Sequence, residues 1–212
     1  MIAVLDSLQG VISWPSDAHL DSLRQRNQDL PRFLQDCVCI VDGTRFKIKR
    51  PSDNNIQEEL YSGKTKTHNL NVLFVCLFDG TPIFVSKAFP GARNDQGVWN
   101  EVKLRDRFIG KSYGIIGDKM FTFNREEDEK KIIGVSPIKK DSSGDQLSEV
   151  DKEKNKQISS IRINIEHYFA LLKGWRIFKS TFRHFSMMSV NNFDFDDVLL
   201  CLVCIVQWKK TN

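Results

Sequence analysis

The chain has 212 residues, 41% of them hydrophobic and 27% charged. That length holds one ordinary domain or at most two small ones, and the balance excludes a disordered chain. A net charge of +4 is too weak a bias to establish a nucleic-acid partner by itself. The charge is uneven, since residues 1–36 carry five acids against three bases and the remainder carries +6.

Five cysteines is an odd number, and Cys37-x-Cys39 and Cys201-x2-Cys204 lie inside apolar runs. A disulfide framework is therefore not expected, and a reducing compartment is. The N-terminal apolar stretch contains Asp6 and has no basic segment before it, so it does not read as a signal peptide. The longest apolar run, Val198 to Val206, is nine residues, less than half of what a bilayer needs.

Residues 1–35 predict a short helical segment, with Ser16 before Asp17 as a helix start and Pro31 as its end. Cys37 to Val41 is a continuous apolar run, the pattern of a strand buried on both faces. Asp42-Gly43-Thr44 reads as a turn, and Arg45 to Lys49 alternates as a half-buried strand. Residues 51–66 read as a polar loop. Asn69 to Phe78 predicts a strand, Asp79-Gly80-Thr81-Pro82 a turn, and Ile83 to Val85 the second arm of a hairpin.

Asp95 to Phe108 has helical spacing, and Gly114 to Gly117 predicts a short buried strand ending at Asp118. A polar insertion is expected near 139–156. Ile158, Ile161, Ile165, Tyr168, Phe169 and Leu172 then mark an amphipathic helix. Residues 195–208 predict a last helix, apolar nearly all round. Strands in hairpins followed by a helix, a strand and more helices predict an α/β mixed sheet flanked by helices.

Two acids follow apolar strands, Asp42 and Asp118. Sites in open α/β sheets gather at the carboxyl ends of strands. Two carboxylates meeting there repel unless a cation separates them, and oxygen-only sites suit Mg²⁺ or Mn²⁺. On local evidence Asp42 reads more readily as a turn former, because Asp79-Gly80-Thr81 repeats its tripeptide. Lys119-Met120 continues a turn poorly, which sets Asp118 apart. Glu166 flanks the apolar stripe of its helix, one turn after Arg162 and two before Lys173, and by itself reads as a solvated flank residue.

The four histidines match no metal spacing, and the paired cysteines have no nearby histidine pair for zinc. No phosphate-binding glycine loop and no Gly-x-Ser-x-Gly elbow occurs. Basic residues recur along 45–68, including Lys49 and Lys66, and along 173–183, including Lys173, Arg176 and Arg183. Trp175, Phe178 and Phe182 interleave the second group. That pattern fits a phosphate-tracking surface and equally a solvated face over a small core.

In order, these segments resemble the DDE endonuclease domain of PIF/Harbinger-type transposases and related transposase-derived nucleases, over roughly residues 36–206. Asp42-Gly43-Thr44 is similar to the family's first catalytic segment. Pro90-Gly91-Ala92-Arg93-Asn94-Asp95 is similar to its Pro-Gly-Ser-x-x-Asp stretch, with Ala92 in the Ser place. Gly117-Asp118-Lys119-Met120-Phe121 is similar to its second acidic segment, with Phe121 for the usual Tyr. Pro137 fits the Pro after the next strand. Asn155-x2-Ile158-Ser159-x2-Arg162-x2-Ile165-Glu166-x6-Lys173 is similar to its Glu helix and is the most specific of these pieces.

The resemblance implies an RNase H-like core over 36–212, with Asp42, Asp118 and Glu166 converging on two Mg²⁺ or Mn²⁺ ions. Spacings of 76 and 48 residues (118 − 42 and 166 − 118) suit an intervening helix and an insertion. It implies cleavage of DNA phosphodiester bonds, with strand transfer in a transposase and a nuclear location in a eukaryote. Arg162, Lys173, Arg176, Lys49 and Lys66 become the expected DNA contacts. A separate DNA-recognition protein and an oligomer also fit, because few residues precede the core. The rival reading is a catalytically silent, domesticated remnant that binds DNA or a protein.

Overall fold

Cys37–Lys47 is one uninterrupted strand, β1, around which the rest of the chain is laid. The coordinates are a computed structural model describing residues 12–140, 146–182 and 195–211. Asp42-Gly43-Thr44 is therefore not a turn. Asp42, Gly43 and Thr44 pair with Phe74, Leu73 and Val72 of the antiparallel strand β3, which follows a short edge strand β2 (Tyr61–Ser62) and spans Thr67–Leu77. The long partner overrides the local turn signal, since a reversal at Gly43 would forfeit the ladder bonds on both sides of it. The second copy of the tripeptide does turn. Gly80 has φ +81, a left-handed conformation that suits glycine, and Thr81 N–H donates to Asp79 Oδ1 at 2.8 Å.

After that turn come β4 (Pro82–Val85) and β5 (Phe89–Pro90), which share with β2 the outer edge of β3. On the other side of β1 lie β6 (Gly114–Ile116) and then β7 (Gly134–Val135), both parallel to it. The sheet is thus five strands wide and mixed, with antiparallel strands on one flank of β1 and parallel ones on the other.

Helix α1 (Asp17–Gln25) starts where its sequence predicts, with Ser16 Oγ accepting from His19 N–H at 3.3 Å. The stretch read as a loop contains α2 (Asn54–Leu60), capped by the Asp53 carboxylate accepting from Asn55 and Ile56 N–H. Its stripe is two residues, Ile56 and Leu60, too short to register as a period. Helix α3 is Asp95–Glu101; Lys103, at φ 51, separates it from a 3₁₀ turn over Leu104–Arg107.

Helix α4 runs Glu149–Gly174, starting well before Ile158. The expected insertion over 139–156 is therefore helical from 149 onward. Ser148 caps it, Glu149 and Asp151 favour its positive end, and Lys152 pairs with Glu149 at 2.7 Å. These are capping and charge signals without apolar residues, so an apolar stripe alone misses them. Asn155 ties this helix to the chain leaving β7, accepting from Ile138 N–H at 2.8 Å and donating to Ile138 C=O at 3.1 Å. A turn of helix, α5 (Arg176–Lys179), and α6 (Phe195–Thr211) complete the fold. Residues 141–145, and Arg183 and His184 of the basic run, lie outside the described residues.

The sheet has a core on each face. Ile40, Phe46, Val72 and Phe74 pack on Ile165, Phe169 and Leu172 of α4 and on Leu199 and Val203 of α6. Val41, Leu73 and Val75 pack on Leu20 of α1 and on Val98 and Trp99 of α3. Each fully buried Leu or Ile contributes about 1.5–3 kcal/mol, so α4 is fixed to the face it covers. Helix α6 is apolar over most of its surface but not buried all round, since Trp208 is 64% exposed. All five cysteines are free, four of them buried. No helix among the described residues is long and apolar enough to cross a membrane. The architecture is the mixed α/β sheet flanked by helices of an RNase H-like fold.

Candidate active site

Strand register brings the two aspartates together. Ile40 of β1 lies beside Ile116 of the parallel β6, and Asp42 and Asp118 each come two residues later. Neighbouring strands lie about 4.8 Å apart, so the two acids leave adjacent strands side by side. Beyond Ile116 the chain turns away: Phe121 N–H donates to Asp118 C=O at 3.1 Å, and Met120 N–H to Asp118 Oδ1 at 2.7 Å. Lys119-Met120 does continue a turn, because the Asp118 side chain closes it.

Asp42 faces α4. Its side chain is 14% exposed, and Oδ2 accepts from Arg162 Nη2 at 2.8 Å. Burial raises its carboxyl to about 6, and the nearby Asp118 charge adds to that rise; Arg162 and the Gly43 N–H act the other way. Arg162 also stands 3.9 Å from Glu166 Oε1, one helical turn on, and Glu166 is 57% exposed. The guanidinium thus sits between two of the three acids.

Sequence reading missed the layer behind Asp42. Asp95, at the start of α3, is buried and accepts from Asn71 Nδ2 at 2.8 Å, with Arg45 Nη2 at 3.9 Å. A Cβ on Gly43 would come within 2.2 Å of Asp95 Oδ1, so glycine is what lets this carboxylate press against β1. The signal was present in the Pro90-to-Asp95 stretch, but its partner Gly43 is far away in sequence.

The expected DNA contacts separate. Arg162 is bound to Asp42. Lys173 lies over the Phe46 ring at 5.8 Å, and burial, then the Arg45 charge, holds its ammonium below its ordinary range. Lys49 and Lys66 line one cleft, and Arg176 borders another hollow with Trp175, Lys209 and Lys210. Phe178 and Phe182 are buried against Phe46 and Phe195. They are core, not a stacking surface for bases.

A set of aspartate and glutamate oxygens suits a hard divalent cation, and a buried Asp42 with a raised pKa gains from a neighbouring positive charge. Yet among the described residues no three His, Cys, Asp or Glu side chains stand close enough to hold one ion. Asp42, Arg162 and Glu166 form a chain of contacts, with Asp118 flanking Asp42.

Compared with known protein families, residues 41–207 match the model of the DDE superfamily endonucleases. No curated protein and no solved structure matches the chain. The matched span covers most of the chain and takes in Asp42, Asp95, Asp118, Arg162 and Glu166, so the chain belongs to the DDE superfamily of endonucleases.

Proposed function

We propose that this protein is a metal-dependent DNA endonuclease of the PIF/Harbinger transposase type, with Asp42, Asp118 and Glu166 as its acidic triad. The observation that carries the reading is the place of Asp42 and Asp118, each two residues beyond the paired Ile40 and Ile116 of neighbouring parallel strands, with Glu166 on the helix over the face that Asp42 takes. Family membership supports nuclease chemistry, and the segments around the three acids support the Harbinger assignment.

Two Mg²⁺ or Mn²⁺ ions would supply an activated water and stabilise the leaving 3′ oxygen when bound, and the three carboxylates would have to draw together from the spacing described above to hold them. The chain's own residues prepare that place. Strand β1 holds Asp42 rigidly at the end of the parallel pairing. Asp95 and Asn71 brace Gly43 from behind, and Arg162 balances the Asp42 charge within reach of Glu166. In a transposase the freed 3′ hydroxyl would then attack a second DNA at the same site. In a eukaryotic cell the place of action is the nucleus.

A second reading, a catalytically silent DNA- or protein-binding remnant, is favoured by one observation: Arg162 already neutralises Asp42. Nicking of supercoiled plasmid in Mg²⁺ or Mn²⁺ decides between them. Wild type should nick, and Asp42→Ala, Asp118→Ala and Glu166→Ala should each abolish nicking while binding DNA nearly as before, because affinity comes from Lys and Arg. Tight binding with no nicking in either metal would replace the first reading by the second.

A further inference from the structure

Helices α4 and α6 leave a hollow of about 520 Å³ between them. Leu171 and Gly174 of α4 and Val206 of α6 give it an apolar base, and Arg176, Lys209 and Lys210 give it a rim of three positive charges. Among the described residues that line it, none is a carboxylate. Lys209 lies over the Trp175 ring at 4.9 Å, and Lys210 donates to the Asp79 C=O. Each contact holds an ammonium in place without cancelling its charge.

The helical period decides which side of α4 this is. Ile165, Phe169 and Leu172 pack on the sheet. Leu171 follows Glu166 by five residues, so at about 100° per residue the two stand about 140° apart around the helix. Leu171 therefore looks away from the acids, toward the flank where the Tyr168 hydroxyl donates to Val203 C=O of α6 at 3.1 Å. The place is open. Leu171 is 56% exposed, and a Cβ on Gly174 would meet nothing within 4 Å. Ile205, 39% exposed, is one turn before Lys209 and so its neighbour on the surface of α6. Single exposed apolar residues need no explanation, but an apolar cluster rimmed by charge marks an interaction surface.

We propose that the hollow between α4 and α6 is a docking groove for an acidic amphipathic helix of a partner protein. An apolar stripe on that helix matches the base formed by Leu171, Gly174 and Val206, and carboxylates beside the stripe match Arg176 and Lys209, the helix-in-groove mode of recognition. The other occupants fit less of the surface. A DNA backbone would satisfy the cations and leave the apolar base unmatched. A second copy across a two-fold axis would set the same cationic rim against itself. The proposal goes beyond the DNA-cutting reading and does not depend on it, because Leu171 and the acids take different flanks of α4.

The test titrates ¹⁵N-labelled protein with a 15-residue helical peptide carrying Leu at every third and fourth position and Glu beside them. The amide signals of Leu171, Gly174 and Lys209 should shift, and the same peptide with Lys for Glu should bind at least about tenfold more weakly. Gly174→Phe fills the groove from a position with open space around it, and Lys209→Glu reverses a rim charge. Each should weaken binding at least about tenfold, keep the wild-type fold in its amide spectrum, and nick plasmid as wild type does. No binding at 1 mM peptide, equal affinity for the two peptides, or shifts confined to another surface would overturn the proposal. A DNA duplex that displaces the peptide from these residues would assign the hollow to DNA, and a wild-type dimer that Gly174→Phe splits would assign it to a second copy; either result overturns the acidic-helix reading. A wild type that binds the peptide here and never nicks would remove the nuclease reading and leave this one standing.

Discussion

Arg162 Nη2 donates to Asp42 Oδ2 at 2.8 Å, joining a helix to a strand 120 residues away in the chain. Both side chains are about 15% exposed, so this is an ion pair largely removed from water. Deleting one member of such a pair costs on the order of 3 kcal/mol, because the other is left uncompensated. Arg162→Gln should lower metal-free stability by about that much. It should also enlarge the thermal shift produced by millimolar Mn²⁺, since the ion then faces a carboxylate with no internal partner. Scanning fluorimetry with and without Mn²⁺ reads both, and a smaller metal shift in the variant than in wild type contradicts the account.

Asp42 also gives a pH signature. Its carboxyl moves from an ordinary 3.8 to about 6 in the fold, burial being the main cause. Between those values the native state keeps a proton that the unfolded chain has released, so stability falls as pH rises through the window and stays lower above it. At about 1.4 kcal/mol per unit, the cost above pH 6 approaches about 3 kcal/mol. Metal-free wild type should therefore lose stability between about pH 4 and pH 6, and Asp42→Asn, which cannot titrate, should lack that part of the pH dependence whatever its absolute stability without a partner for Arg162. Urea unfolding at several pH values would show this, and an Asn variant with the same pH dependence as wild type would refute it.

Gly43 and Asp95 should behave as a coupled pair. A methyl group at Gly43 meets the Asp95 carboxylate at 2.2 Å, and overpacking of this kind costs about 1–3 kcal/mol. Asp95→Ala opens space but strands Asn71 and Arg45. The double variant Gly43→Ala/Asp95→Ala should therefore lose less stability than the two single losses combined, by at least about 0.5 kcal/mol. Strict additivity in a double-mutant cycle would mean that the two residues do not press on each other.

Asp79→Ala serves as the control for the shared tripeptide. It removes the bond from Thr81 N–H, worth about 1 kcal/mol, and should leave the Mn²⁺ thermal shift and nicking unchanged. Any loss of nicking beyond what the stability change explains would place Asp79 in the chemistry.

The sheet was largely legible because its strands are long or strongly apolar: the run from Cys37 to Val41 and the segment from Asn69 to Phe78 both appear where periodicity puts them. What failed was local reading of non-local structure. Asp42-Gly43-Thr44 carries a turn signal that nine pairings with β3 overrule, whereas Asp79-Gly80-Thr81 has no such partner and turns. Helix α2 and the first turns of α4 rest on caps and charge pairs, which hydrophobic spacing does not register.

At the site, Asp42 and Asp118 stand out as acids that follow apolar strands, whereas Glu166, and the joining of the three, came from resemblance to a family. Asp95 was quoted in a motif and given no part. Its meaning depends on contact with Gly43 and Asn71, and such contacts exist only after folding. The aromatic residues among the basic run showed the opposite error, since Phe178 and Phe182 were spaced like an interface and are needed by the core.

The pairing of Ile40 with Ile116 makes the site sensitive to reading frame rather than to loop length. Successive residues of a strand point to opposite faces, so deleting one residue between Ile116 and Asp118 would aim that carboxylate at the wrong side of the sheet while sparing every core contact of β6. Insertions of many residues between β1 and β6, by contrast, would leave the two acids side by side. Tolerance to length change along this chain is thus set by two short spacers of a single residue each, Val41 and Gly117.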